Sequence, residues 1–87
     1  MIELELLGRP GCHLCEDLHA ELTAALAGRA ARLVQRSVDS DPELARRYGL
    51  RIPVVRVDGA VLLAGGLDAE RLELALAGAK WEPLELR

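Results

Sequence analysis

The chain has 87 residues, enough for one small domain, and its formal net charge of −3 argues against the concentrated basic face that binds nucleic-acid phosphates. Phe is absent and only Tyr48 and Trp81 are aromatic, so a core must be built from Leu, Val and Ala. No stretch approaches the ~20 apolar residues that span a bilayer, and the N-terminus lacks the pattern of a signal peptide. We expect a cytoplasmic protein without nucleic-acid or membrane partners, in a compartment where a disulfide is more often catalytic than structural.

The first half of the chain predicts a strand, a helix and a second strand. Residues 2–6 alternate apolar and acidic side chains, the pattern of a strand with one buried face. Leucines at four-residue intervals over positions 14–26 indicate one stripe of a helix that begins at Cys12 and ends at Gly28. The segment 32–39 predicts a second strand, parallel to the first if the helix is a crossover.

The second half predicts a short helix, a hairpin and a third helix. Ser40 or Asp41 is a helix cap with a proline in the first turn. The Asp58–Gly59 pair lies between two apolar runs, the strongest short signal for a β-hairpin. Asp68 caps the third predicted helix, and the pattern assigns no structure to the tail 79–87.

The resulting order β-α-β-α-β-β-α predicts one α/β domain over 1–87. We expect a mixed four-stranded sheet with helices on both faces. This order places both cysteines, Cys12 and Cys15, where the first strand ends and the first helix begins.

The stretch GRPGCHLCEDL therefore holds a CxxC pair that is a redox couple, two metal ligands or a small structural staple. The staple is disfavoured because the stabilisation from closing a loop grows with loop length. Side chains at i and i+3 of a helix are about 5–6 Å apart between Cβ atoms, and a disulfide needs about 3.8 Å. A small adjustment of the first turn lets Cys12 and Cys15 bond and separate.

The positions of the two cysteines predict their roles. Cys12 lies where unpaired backbone N–H groups and the helix dipole favour an anion, which lowers a thiol pKa from about 8.5. Cys15 lies one turn deeper and is expected to be less exposed. We predict that Cys12 attacks as a thiolate and that Cys15 resolves the mixed disulfide.

Three other residues are candidates for this site. Pro53 fits the first position of a strand or a cis bond, and beside the CxxC it would shape a groove for an extended peptide or thiol; the alternative is a plain strand-entry proline. His13 either stabilises the Cys12 thiolate or is an exposed residue at the helix start. His19 either completes a metal site or is a polar flank.

Three stretches, GRPGCHLC, RIPVV and GGLD, resemble the CxxC motif, the cis-proline loop and the Gly-Gly turn of the glutaredoxins, in the same order. The segment VDSDPELARRYGLRIPVV is similar to the corresponding part of the wider thioredoxin superfamily. The resemblance covers nearly the whole chain to about residue 78, and it implies a thioredoxin-like fold with Pro53 as the cis-proline. The family's usual Pro-Tyr between the cysteines is His13-Leu14 here, which marks a divergent branch.

The resemblance also implies a glutathione site. Arg9 matches a basic family position that faces the glycine carboxylate of glutathione. Ile52 would offer backbone groups to the cysteinyl part, and the turn of Gly66, Leu67 and Asp68 would receive the γ-glutamyl end.

The sequence thus predicts a glutaredoxin-like thiol-disulfide oxidoreductase that holds no bound cofactor. Its partners would be a disulfide-containing protein or a small thiol, with glutathione as a candidate co-substrate. Two alternatives stay open: a metal or iron-sulfur carrier on the same fold, which would use the cysteines as ligands, and a redox-inactive interaction module.

Overall fold

A computed structural model describes residues 1–86, in which four strands form one mixed sheet. The strand order is β2-β1-β3-β4. Strand β1 pairs in parallel with β2 and antiparallel with β3, and β3 pairs antiparallel with β4. The strands are β1 (Ile2–Gly8), β2 (Ala31–Ser37), β3 (Val54–Val57) and β4 (Ala60–Ala64). The predicted mixed sheet and the parallel crossover are confirmed.

Three α-helices pack on the two faces of this sheet, as predicted. They are α1 (His13–Leu26), α2 (Pro42–Tyr48) and α3 (Ala69–Leu76). Helices α1 and α3 share the larger core cluster, which includes Leu6, Leu22 and Leu72. Helix α2 covers the opposite face through a smaller cluster that includes Leu7 and Tyr48. Alternate residues of β1 therefore serve two separate cores.

The turn and cap residues take the predicted positions. Asp41 caps α2 and bonds the N–H of Glu43 at 2.8 Å. Asp68 caps α3 and bonds the N–H of Arg71 at 3.2 Å. The hairpin turn needs two residues with positive φ, and Asp58–Gly59 supplies them at 52° and 81°.

The ends of β1 and β2 differ from the prediction, and β2 also begins one residue earlier, at Ala31. Strand β1 continues past residue 6 to Gly8, because Leu7 is fully buried on the α2 side of the sheet. Strand β2 ends at Ser37 instead of residue 39, where a short 3₁₀ turn (Val38–Ser40) begins. The Ser37 hydroxyl accepts a hydrogen bond from the N–H of Asp39 at 3.1 Å and stabilises this turn.

The predicted leucine stripe of α1 is wrong at its first position. Leu14 is 62% exposed, whereas Cys15, Leu18, Leu22 and Leu26 are buried. A four-residue step exceeds the helical repeat of 3.6, so a row of such steps drifts around the helix by ~40° each time. The drift carries position 14 out of the core and brings Cys15 in.

The tail, which the sequence left unassigned, packs along β4. Trp81 contacts the larger core cluster, and Leu86 contacts the smaller one. The N–H of Leu84 donates to the carbonyl of Val61 at 2.9 Å. Among residues 1–86, none of the helices has the length and apolar content of a membrane span.

Candidate active site

The two cysteines form a disulfide at the start of α1, with their Cα atoms 5.3 Å apart. Cys12 is the helix N-cap, and its sulfur accepts a hydrogen bond from the N–H of Cys15 at 3.2 Å. Cys12 is partly exposed, while Cys15 is only 6% exposed. An approaching molecule therefore meets Cys12 before Cys15.

The backbone of Gly8 forms the floor beneath Cys15. A Cβ atom built on Gly8 would lie 3.0 Å from the Cys15 sulfur and 3.1 Å from its Cβ. Such contacts are closer than ordinary van der Waals packing allows, so the absence of a side chain at Gly8 makes room for the buried cysteine. Sequence reasoning did not assign this role to Gly8, although a glycine at the end of a strand is a known signal of close approach.

Arg9 ties the loop before Cys12 to two distant segments. Its Nε lies 3.1 Å from Asp39 Oδ2 and its Nη2 lies 3.1 Å from Asp39 Oδ1. Its Nη1 donates to the carbonyl of Gly49 at 3.4 Å. The hydrogen bond and the charge of Asp39 raise the pKa of the Arg9 guanidinium further above its ordinary value. The predicted anion-binding residue is thus bonded to a carboxylate of its own chain, 30 positions away.

A groove of about 310 Å³ opens beside the disulfide, between the CxxC loop and the end of β2. Its lining includes Gly8, Arg9, Cys15, Glu16 and Arg36. The groove therefore lies against Cys15 and beside Arg9 and Glu16, whereas the guanidinium of Arg36 bonds Glu5 on the α2 side of the sheet.

Pro53 lies on the other side of β1 from this groove. The Ile52–Pro53 peptide bond is cis, and Pro53 is buried. It directly precedes Val54, which pairs with Leu7, so it flanks the strand end that leads to Cys12. The N–H of Gly65 donates to the carbonyl of Pro53 at 2.8 Å, which joins the Gly-Gly turn to the cis-proline.

The other residues of the predicted glutathione site lie around the hydrogen bond between Gly65 and Pro53. Ile52 is partly buried against the α2-side core, and Leu67 is partly buried against the larger core. Gly66 is exposed, and the carboxylate of Asp68 bonds the N–H of Arg71 as the cap of α3. The assignment of Arg9, Ile52 and the Gly66–Asp68 turn to glutathione stays a prediction.

The two histidines differ in exposure. The side chain of His13 is 95% exposed, and its Nδ1 lies 3.9 Å from Glu16 Oε2. His19 is partly buried in α1, one turn beyond Cys15. Over residues 1–86, no group of three or more His, Cys, Asp and Glu side chains is placed to hold a metal ion.

The comparison with protein families agrees with this geometry. The model of the glutaredoxin-like domain (DUF836) matches residues 3–77, which include both cysteines and Pro53. The chain belongs to this family. No curated protein matches it.

Two solved structures are similar to this glutaredoxin-like chain along most of its length. Protein Ne2328 from Nitrosomonas europaea is 29% identical, with a TM-score of 0.78, over 85% of this chain and 89% of that one. Target protein XcR50 from X. campestris is 37% identical, with a TM-score of 0.64, over 88% of this chain and 99% of that one.

A thioredoxin shares the fold at lower identity. A mutant thioredoxin from Halobacterium salinarum NRC-1 is 23% identical, with a TM-score of 0.60, over 94% of this chain and 78% of that one. The glutaredoxin-like chain therefore has a thioredoxin-like fold, as its sequence predicted.

Proposed function

We propose that this glutaredoxin-like protein is a thiol-disulfide oxidoreductase in which Cys12 attacks and Cys15 resolves. One observation carries the proposal: the two sulfurs are bonded at the start of α1, with Cys12 partly exposed and Cys15 buried. An exposed sulfur can reach a substrate disulfide, and a buried neighbour can reach only its partner.

The proposed reaction transfers two electrons from the dithiol to a substrate disulfide. The Cys12 thiolate attacks one substrate sulfur, so that a Cys12–substrate bond forms and the first substrate thiolate leaves. The Cys15 thiolate then attacks the Cys12 sulfur, which forms the Cys12–Cys15 bond and releases the second substrate thiolate. The protons given up by the two cysteines balance those taken up by the two products.

The helix start supports this assignment energetically. The Cys12 sulfur already accepts the N–H of Cys15, and the same contact would stabilise a thiolate after reduction. We further propose that buried Pro53 shapes the wall that a substrate meets beside Cys12. His13, which is almost fully exposed, would add a favourable charge when protonated.

A single-turnover experiment tests the proposal without an external reductant. The reduced protein is freed of reducing agent and mixed with excess bis(2-hydroxyethyl) disulfide, which carries no charge. We expect two small thiols to be released for each chain, together with formation of the Cys12–Cys15 disulfide, measured by thiol titration and mass spectrometry.

Two matched variants assign the roles. Cys15→Ser should stop at the mixed disulfide on Cys12, seen as one added substrate half in the intact mass. Cys12→Ser should release almost no thiol, because Cys15 is buried. Normal release by Cys12→Ser would overturn the proposed assignment of roles.

The source of electrons is a separate part of the proposal. The family resemblance points to glutathione, and a dithiol such as dithiothreitol serves as the alternative donor. Comparison of the steady-state rates with the two donors at equal thiol concentration measures the glutathione preference.

A further inference from the structure

Both arginines that line the groove beside the disulfide already bond carboxylates. Arg9 bonds Asp39 through two nitrogens, and Arg36 Nε lies 3.2 Å from Glu5 Oε2. Glu16 adds a further carboxylate to the groove lining. The guanidinium groups of Arg9 and Arg36 are therefore each paired with a carboxylate before any substrate arrives.

The Arg36–Glu5 pair belongs to a larger ion-pair network on the α2 side of the sheet. Glu5 also receives the guanidinium of Arg56 from β3, with Nε of Arg56 at 2.7 Å from Glu5 Oε1. Glu5 therefore serves two guanidinium groups, those of Arg36 and Arg56, in a network separate from the Arg9–Asp39 pair.

We propose that Asp39 is a specificity-determining residue, which neutralises Arg9 and so directs the site toward neutral or cationic disulfides and away from anionic ones. The inference rests on the proposed oxidoreductase function and names its substrate class. Uncharged or basic peptide disulfides fit this description, whereas glutathione disulfide, in which carboxylates outnumber amines, does not.

The physical basis of this selectivity is competition between Asp39 and a substrate carboxylate for Arg9. A substrate carboxylate that binds Arg9 must displace Asp39, which is held on the same chain and so acts at a high effective concentration. Once displaced, the Asp39 carboxylate would repel the same anionic substrate. Arg9 is three residues before Cys12, and its carbonyl accepts the N–H of Cys12 at 3.3 Å, so the two residues belong to one tight turn beside the groove.

The size of the effect follows from Coulomb's law. Two unit charges about 7 Å apart in water interact by roughly the thermal energy, and by more where protein excludes solvent. Freeing Arg9 should therefore accelerate an anionic reagent about three- to tenfold relative to a neutral one of the same shape.

Alkylation of Cys12 tests this charge effect without catalytic turnover. The Cys12 thiolate displaces iodide from iodoacetate, an anion, or from iodoacetamide, its neutral analogue, so a sulfur–carbon bond replaces a carbon–iodine bond. The measurements use the Cys15→Ser protein, in which Cys12 is the remaining thiol. The quantity compared is the ratio of the two rate constants, which cancels changes in thiol pKa and in general accessibility.

The variants form a closed cycle. Asp39→Asn should raise the iodoacetate-to-iodoacetamide ratio about three- to tenfold, and Arg9→Gln should lower it because Asp39 is left unpaired. In the double variant the ratio should return close to its starting value, because two uncharged side chains replace an ion pair that has no net charge. In 1 M salt, where the Debye length is about 3 Å, the differences should largely disappear.

Glu73→Gln is the matched control. Glu73 forms two hydrogen bonds with Arg29, each 3.1 Å long. Arg29 lies beyond the C-terminal end of α1, about 20 Å from Cys12 along that helix. This variant changes the net charge by the same amount, and it should leave the ratio within about twofold of its starting value, because the lost charge is more than a Debye length away.

Three results would overturn the inference: no change of the ratio in Asp39→Asn, an equal rise in Glu73→Gln, or no return in the double variant. The same variants are then compared with bis(2-hydroxyethyl) disulfide and glutathione disulfide, and Asp39→Asn should shift the preference toward the latter. A protein that reduces neither disulfide would disprove the proposed function, while the alkylation ratios would still decide the role of Asp39.

Discussion

Gly8 and Cys15 are in such close contact that a methyl group on Gly8 would lie 3.0 Å from the Cys15 sulfur. In the disulfide form this sulfur is held by its bond to Cys12 and cannot rotate away. In the dithiol form it can take another rotamer. The contact with the Cys15 Cβ at 3.1 Å would remain in both redox forms, so only the contact with the sulfur depends on the disulfide.

We predict that Gly8→Ala destabilises the oxidised protein by about 1–3 kcal/mol and the reduced protein by less, because overpacking costs most where neighbours cannot move. Urea denaturation of both redox forms measures the difference. Gly66→Ala is the control, since a Cβ there meets no atom within 4 Å. Equal losses in the two redox forms would contradict the prediction.

The ion pair between Glu5 and Arg56 is largely buried, with 17% and 14% of the side chains exposed. Glu5→Gln leaves Arg56 and Arg36 without their shared carboxylate, so we expect a loss of about 1–3 kcal/mol in the free energy of unfolding. Arg56→Met should cost less, because Glu5 keeps Arg36 and the methionine still covers Tyr48. The reverse order of the two losses, measured in urea, would count against this account.

Arg71 holds the C-terminal tail against the sheet. Its Nε donates to the carbonyl of Leu62 at 2.8 Å, its Nη2 donates to the carbonyl of Glu82 at 2.5 Å, and its guanidinium lies 5.9 Å from the ring centre of Trp81. We predict that Arg71→Ala exposes Trp81, the single tryptophan of the chain, and speeds proteolysis of the tail.

Acrylamide quenching of tryptophan fluorescence provides the measurement for this variant. Arg46→Ala removes an arginine that bonds Glu43 on α2, and it serves as the control. If quenching rises equally in both variants, the loss of Arg71 has no specific effect on the tail.

The Arg29–Glu73 pair predicts a pH dependence of stability. The hydrogen bond and the charge of Arg29 lower the pKa of Glu73, so the pair stabilises the fold above the unfolded pKa of about 4.3. This contribution is lost as the pH falls through the lower folded value. The difference in Tm between the wild type and Glu73→Gln should therefore be present at pH 7 and shrink as the pH falls below the unfolded pKa and through the lowered folded pKa of Glu73. A difference of the same size across this pH range would disprove the linkage.

Local signals carried most of the sequence prediction. The caps Asp41 and Asp68 and the turn Asp58–Gly59 act within a few residues, so the sequence reveals them directly. The position of the CxxC pair followed from the strand and helix around it. The prediction for Leu14 is wrong because a strict four-residue spacing does not stay on one face of a helix whose repeat is 3.6 residues.

Contacts between distant segments could not be predicted in the same way. The Arg9–Asp39 bond depends on where β2 ends. The strand ends two residues earlier than its sequence predicts, because the Ser37 hydroxyl stabilises a 3₁₀ turn there. The fit of Gly8 against Cys15 depends on the angle between β1 and α1. Neither relation has a periodicity or a motif that a single sequence displays.

Cys12 caps α1 with its own sulfur, so one atom serves both the chemistry and the secondary structure. Serine is a better replacement than alanine for a chemically silent protein, because a hydroxyl oxygen also accepts an N–H at a helix start. A bulky or cationic adduct on Cys12 would weaken this cap and loosen the first turn of α1. The order of the first turn therefore depends on which molecule is attached to the Cys12 sulfur. The NMR chemical shift of the Cys15 amide, which donates to that sulfur, should reveal the difference.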